Sequence, residues 1–379
     1  MAFWLKNRFL AIITAKILDK IKGKTMRFIH IADVHLFATP DAEFEWGEKR
    51  PQEIEETFEK VLDACNEKNI DLLLIAGNLY DRSPSVEDLI YIDEKLMRLE
   101  KTRTVILSGT DDYIVPGSES AAYKFRSRTV MLPPDKTTNA YLKGINTCVT
   151  GYSYGKPEYS ERILESIDPG HQGAVNILIG HGGDKNHMPF RKDKLAAKGF
   201  DYVAMGYIRR PVHILKNRMA YAGSPEPLGP TETGRHGYVL GEITDEGTKI
   251  NWCPIARRNY MDISITMSPD LSPEEITKNL EEKLLKLGNE NIYRIILRGF
   301  SKDNLSFDLD RIKSRYNIYE ILNMTISDDD EKMLRVENEK NMMGSFIREI
   351  QGSYTVDERI RSKALRYGME ALIMAGEDR

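Results

Sequence analysis

The sequence predicts a layered α/β protein followed by a second, smaller α/β domain. Three observations predict it. From Met26 onward, short apolar runs alternate with segments of helical periodicity, the pattern of strands interleaved with helices. Beyond residue 257 the periodicity reads strand, helix, strand, helix, strand over 260–266, 272–287, 293–299, 308–316 and 319–327. Five short polar segments each follow an apolar run: Asp33-Val34-His35, Gly77-Asn78-Leu79-Tyr80-Asp81, Gly109-Thr110-Asp111-Asp112, Gly180-His181-Gly182 and Gly206-Tyr207-Ile208-Arg209. In α/β sheets ligands bind beyond the carboxyl ends of strands, and five such segments in order are expected on one sheet edge.

The elements follow in turn. Phe28–Ala32 reads as the first strand, and 51–68 as a helix with Ile54, Phe58, Val61, Leu62 and Cys65 on one face. The run Asp71–Ala76 is apolar throughout, as in a strand buried on both faces. Ser85 offers an N-cap for a helix to about Leu99, and Thr104–Leu107 is the next strand. Cys148–Tyr152, Val175–Ile179, Tyr202–Met205 and Tyr238–Ile243 add four more, the last antiparallel and close to a hairpin. In the second domain, Ser272-Pro273-Glu274-Glu275 combines an N-cap, a proline at the first helical position and a capping-box glutamate. The acidic break Asp328-Asp329-Asp330 precedes two tail helices, 331–350 and 356–375. Ile360, Ala364, Leu365, Met369, Leu372 and Ile373 form an apolar stripe that either packs on its own domain or docks a partner helix. The expected boundaries are 1–25, 26–257, 258–327 and 328–379.

Composition narrows the function. With 379 residues, 41% hydrophobic and 30% charged, the chain is of ordinary globular type, and a net charge of −4 gives no overall basic field for nucleic acid. Any nucleic-acid contact therefore rests on local patches such as Arg209, Arg210 and Arg235. Cys65, Cys148 and Cys253 are odd in number and lack a CxxC pair, so they read as reduced thiols in the cytoplasm. No run approaches the ~20 apolar residues of a membrane span. Residues 1–25 carry six Lys/Arg against one Asp with scattered aromatics, neither a signal peptide nor a clean interfacial helix, and read as a dispensable extension.

The stretches FIHIADVH, GNLYD, GTDDY and AYAGSPEPLGPTETGRHGYVLGEI resemble SbcD- and YhaO-type calcineurin-like metallophosphoesterases, the exonuclease D-subunit family of DNA repair. The resemblance spans about residues 26–250. It implies an α/β/β/α sandwich, a small βαβαβ capping domain, a two-metal phosphodiesterase centre, and dimerisation or pairing with an SMC-like ATPase through the tail. Of the family's metal ligands, Asp33, His35 and His181 stand in place. The bridging Asp is Asn78, the Asn of the GNHD motif is Thr110, that motif's catalytic His is Asp111, and the GHxH histidines are Tyr207 and Arg209.

Chemistry ranks these changes. Asn78 offers one neutral carbonyl where a carboxylate bridges two cations. Tyr207 would have to lose a proton of pKa near ~10. Arg209 has no lone pair, and a dication about 4 Å from it is repelled by about 8 kcal/mol at an effective dielectric of ~20. The expectation is that Arg209 replaces a metal as the local positive charge and pairs with Asp33 or Asp111. What remains is no metal or one weak divalent ion on Asp33, His35, Asn78 and His181, manganese if the site is active. Three functions stay open: an impaired SbcD-like protein that binds DNA or a partner, an active metal-dependent nuclease with a rebuilt site, or a regulatory or assembly protein. His30 is expected in the core, and His171, His187, His213 and His236 are read as structural.

Overall fold

The computed structural model describes residues 25–268, 271–301, 309–327, 336–352 and 357–377. The N-terminal extension (but for Thr25), the acidic break and the start of the first tail helix lie outside the described residues. The chain divides into two compact units between Asn259 and Tyr260.

The first unit holds two six-stranded sheets. One comprises β1 (Met26–Ile31), β2 (Leu72–Ala76), β3 (Arg103–Leu107), β4 (Thr129–Met131), β11 (Gly237–Thr244) and β12 (Gly247–Pro254), in the order β12-β11-β1-β2-β3-β4. Here β1 to β4 run parallel, while β11 lies antiparallel to β1 and forms a hairpin with β12. The other contains β5 (Thr137–Leu142), β6 (Thr147–Tyr152), β7 (Val175–His181), β8 (Tyr202–Gly206), β9 (Val212–Leu215) and β10 (Met219–Tyr221), in the order β5-β6-β7-β8-β10-β9.

Side-chain alternation along the strands generates the layers. On β1, Phe28 faces the second sheet, where its ring centroid lies 4.7 Å from that of Tyr202, within a core that includes Leu74, Val105, Val149, Ile177 and Ala204. Ile29 and Ile31 face the other way, onto Ile54, Phe58 and Leu62 of helix α1 (Arg50–Glu67) and Leu89 and Ile92 of α2 (Val86–Leu96). Ser85 caps α2 in a full capping box with Asp88. The outer face of the second sheet is covered by Leu164 and by Leu195 of the short α4 (Lys192–Ala197), which follows the one-turn α3 (Glu119–Ala122). The α/β/β/α sandwich expected from the sequence is therefore present. His30 is buried between the sheets with its Nδ1 3.0 Å from Tyr202 Oη, the core role expected of it.

Two expectations change. The short strands β4, β5, β9 and β10 carry too little apolar sequence to announce themselves. The five polar segments do not share one sheet edge: three follow β1, β2 and β3, whereas His181 ends β7 and Gly206 ends β8 in the other sheet. The site is thus assembled across the end of a sandwich.

In the second unit, β13 (Tyr260–Met267), β14 (Ile292–Gly299) and β15 (Asn317–Asn323) form a parallel sheet with α5 (Pro273–Leu287) and α6 (Leu309–Lys313) between them in sequence. Ile276, Leu280 and Leu284 of α5 pack on Ile263, Ile265, Tyr293 and Ile295. The tail helices α7 (Met342–Gln351) and α8 (Glu358–Glu377) belong to this unit: Ile347, Leu365 and Met369 bury against Phe300. Part of the predicted stripe is consumed there, while Ile360 remains 61% exposed.

Candidate functional site

The loops after β1 and β2 run side by side. Asp33 N donates to Gly77 O at 3.0 Å, His35 N to Asn78 O at 3.0 Å and Leu36 N to Leu79 O at 2.9 Å. Asp33, His35 and Asn78 all adopt left-handed backbone, with φ of 52°, 52° and 50°. Asp, Asn and His tolerate that region better than most residues, and such strain gathers at functional sites. It gathers Asp33, His35 and Asn78 into one contact cluster.

Asn78 is the hub. Its Nδ2 donates to Asp33 Oδ1 at 3.2 Å, Thr110 Oγ1 at 3.3 Å and Asp111 Oδ2 at 3.1 Å. Its Oδ1 accepts from Asp111 N at 3.0 Å. That last bond fixes the orientation of the amide, because a flipped amide would set N–H against N–H. Asn78 thus turns a donor, not a ligand oxygen, toward the two carboxylates. Asp112, to which the sequence assigned no role, pins the loop from below. Its buried carboxylate accepts from the backbone N–H of Asn78, Gly109, Leu79 and Tyr80. Its position beside Asp111 at the end of a strand was the available signal.

The two surviving histidines keep a metal-ligand posture. His35 Nδ1 lies 3.0 Å from Asp81 Oδ1, and His181 Nδ1 lies 2.9 Å from the carbonyl of Ala76. A carboxylate or carbonyl can only accept, so each Nδ1 carries a proton, the outer-shell arrangement that typically orients a ligating imidazole. Among the described residues, both Nε2 atoms are buried without a hydrogen-bond partner. Asp33 Oδ1 and Asp111 Oδ2 each lie 3.9 Å from His35 Nε2. Gly77 and Gly109 leave room for the His181 ring: a Cβ at Gly77 would lie 2.3 Å from His181 Nδ1, and one at Gly109 2.8 Å from His181 Nε2 and 2.4 Å from Asn78 Oδ1.

The segment after β8 departs furthest from metal chemistry. Tyr207, at φ 105°, gives its backbone N–H to Asp33 Oδ2 at 2.9 Å, while its hydroxyl donates to Asp184 and lies 3.0 Å from His187 Nδ1. Burial and the Asp184 carboxylate push the phenol well above its ordinary range, so it stays protonated. His187, read as merely structural, is part of this cluster through its contact with Asp184 at 2.8 Å. The expectation for Arg209 is met toward Asp111, with which it forms an ion pair at 3.9 Å. Arg209 does not pair with Asp33, whose oxygens are taken by Asn78 and Tyr207. Its nearest acid is Glu232, NH1 to Oε1 at 3.2 Å, and the NH2 contact with Asp111 Oδ2 is beyond hydrogen-bond reach. Arg210 and Arg235 are exposed and outside this bonded cluster.

A binuclear centre does not fit these residues. The bridging position presents an amide N–H₂, one histidine position holds a protonated phenol, and the other holds a guanidinium. Among the described residues, no group of three or more His, Cys, Asp or Glu side chains is arranged to hold a metal ion. In the set Asp33, His35, Asn78 and His181 expected for a single ion, Asn78 is the weakest member, because its oxygen already accepts from Asp111 N.

Comparison with known proteins agrees with the scaffold. Residues 26–206 match the family model for calcineurin-like phosphoesterases. The chain carries a calcineurin-like phosphoesterase domain. Relatives include the DNA double-strand break repair protein Mre11 of Methanopyrus kandleri, 26% identical over 68% of this chain and 61% of that protein. The uncharacterized metallophosphoesterase YhaO of Bacillus subtilis is 25% identical over 72% of each chain. The Mre11 protein of Sulfurisphaera tokodaii is 24% identical over 82% of this chain and 84% of its own. The match therefore spans less than two thirds of the Methanopyrus protein. No helix among the described residues is long and apolar enough to cross a membrane.

Proposed function

We propose that the chain is a catalytically impaired, SbcD-like member of this group that binds DNA and serves a partner ATPase of the SMC type rather than cutting phosphodiesters itself. The observation that carries this is the orientation of Asn78, which spends its amide on Asp33, Thr110 and Asp111 and puts an N–H₂ where the bridging carboxylate would stand. The repair role printed for the Mre11 relatives supports a nucleic-acid partner. Arg209, Arg210 and Arg235 supply positive charge near the strand ends. The free thiols Cys65, Cys148 and Cys253 suit a reducing cytoplasm.

Metal analysis with manganese-dependent hydrolysis of an activated phosphodiester tests the impairment. We expect neither a stoichiometric metal pair nor turnover above background. Robust turnover that disappears in Asp33→Ala would overturn the reading in favour of an active nuclease. The unpartnered Nε2 atoms of His35 and His181 are the feature favouring that second reading, through a weakly held single ion. DNA affinity that falls steeply with salt separates DNA binding from a purely regulatory role. Co-purification of a partner or a second copy with the full chain, lost on removing residues 331–379, tests docking through the tail.

A further inference from the structure

We infer that Arg209 is a phosphodiester-binding residue whose geometry is set by buried Glu232, so that a guanidinium anchored at one end takes over the phosphate contact a metal would make. The inference rests on the DNA-binding reading above.

Glu232 is only 5% exposed, yet its carboxylate is fully engaged. Oε1 accepts from Arg209 NH1 at 3.2 Å, and Oε2 accepts from Ser224 Oγ at 2.9 Å and Leu228 N at 3.3 Å. Ser224 is in turn held by buried His236, whose Nδ1 lies 2.9 Å from Ser224 Oγ and whose Nε2 is 2.9 Å from the Glu232 carbonyl. The same segment grips the Arg209 backbone: Ser224 N donates to Arg209 O at 3.0 Å, and a Cβ at Gly223, which has φ 75°, would stand 2.9 Å from that oxygen. Arg209 is therefore fixed along its main chain and through NH1.

NH2 is the offered end. It faces Asp111 Oδ2 at 3.9 Å, too long for a hydrogen bond, and the side chain is 37% exposed. A guanidinium with one nitrogen committed and a partly exposed side chain suits a phosphate oxygen, and fixing it beforehand lowers the ordering cost of binding. Two carboxylates thus act on one guanidinium with opposite consequences. Glu232 orients it, whereas Asp111 stands where a phosphate oxygen would approach and competes with it.

This yields a contrast of sign that charge alone cannot reproduce. Glu232→Gln and Asp111→Asn each remove one negative charge beside Arg209, so simple electrostatics tightens DNA binding in both. Positioning predicts that Asp111→Asn binds tighter while Glu232→Gln binds weaker. The measurement is fluorescence anisotropy of the full chain with a labelled DNA duplex carrying an unpaired end, over a salt series. Arg209→Ala is expected to weaken binding about tenfold or more and to reduce the log–log salt slope by about 1. Glu232→Asp keeps the charge and shortens the arm, and it is expected to weaken binding too. It serves as the reading if Glu232→Gln loses its thermal transition. Wild-type affinity left unchanged or raised by both Glu232 variants overturns the inference alone. Wild type without salt-dependent DNA binding overturns it together with the functional reading.

Discussion

Replacing Asn78 by Asp restores the carboxylate of a metal-bridging position and tests whether the amide has taken over that structural task. In the native site the amide links Asp33 on one loop to Thr110 and Asp111 on another through Nδ2 contacts of 3.1 to 3.3 Å. Two of these are bonds to carboxylates, worth about 1.5–3 kcal/mol each. Asn78→Asp loses both and sets a third negative charge against the other two, where a unit pair at 4 Å costs up to about 4 kcal/mol at an effective dielectric near 20. Partial protonation of the new carboxylate relieves some of this. We therefore expect destabilisation of about 3–5 kcal/mol at neutral pH, a lowering of Tm of roughly 6–20 °C at about 2–4 °C per kcal/mol.

The pH sign follows from the like charges, which raise the pKa of the new carboxyl in the folded state above its unfolded value. The folded variant then binds more protons than the unfolded chain, so its deficit is smallest below the ordinary carboxylate range and grows as pH rises. Manganese adds a further sign. A third carboxylate beside Asp33, Asp111 and the Nε2 of His35 creates an oxygen-rich ligand set, so saturating manganese should raise the Tm of Asn78→Asp and leave that of the wild type unmoved. Differential scanning fluorimetry with chelator or manganese reads both effects. A variant as stable as the wild type in chelator, or a wild type stabilised by manganese as strongly as the variant, would refute the reasoning.

Three further outcomes are expected. Burial pushes the Asp184 carboxyl up, but bonds from Tyr207, the Asn186 amide and His187 outweigh it and hold the pKa at about 2. This contribution is present above the unfolded pKa of ~3.9 and is lost as pH falls through about 2, so Tyr207→Phe should raise the Asp184 value in a carboxyl-carbon NMR titration, and no change would count against the contact. Glu226 receives Arg50 NH1 at 2.9 Å, Thr57 Oγ1 at 3.0 Å and the backbone N–H groups of Arg257 and Arg258. Glu226→Ala removes the acceptor of these four donors, while Arg50 keeps Glu53 at 2.8 Å, and should cost about 3–5 kcal/mol in urea unfolding, with a loss under about 1 kcal/mol marking the network as unimportant. Asp112→Ala strips the acceptor from the Asn78 and Leu79 amides. Their hydrogen exchange should accelerate at least about 100-fold, since charge-assisted bonds of this kind carry about 3 kcal/mol or more between them.

Much of the fold was legible because its signals are local. The run Leu72–Ala76 is buried throughout, as its unbroken apolar sequence requires, and Ser85 and Ser272 cap their helices through side-chain bonds that three or four residues encode. The site was legible as positions but not as partners. Asp33, Asn78, Asp111, Tyr207 and Arg209 do converge, yet Arg209 goes to Glu232, which lies in a loop the sequence linked only by resemblance. Tyr207 goes to Asp184 and His187, for which no pattern existed. Asp112 escaped notice because an acid that binds backbone amides looks in sequence like one that binds water.

By itself the sequence determined the layered architecture, the order of the strand-end loops and the loss of four groups a two-metal centre uses. Periodicity, capping and the identity of a side chain are properties of short segments. The tertiary structure decided what the substituted groups do instead. Whether an amide presents its oxygen or its nitrogen, and which acid a guanidinium chooses, depend on atoms brought within about 3 Å from loops more than twenty residues apart, and those distances are set by pairing of β1, β2 and β3 in one sheet and by packing of the two sheets.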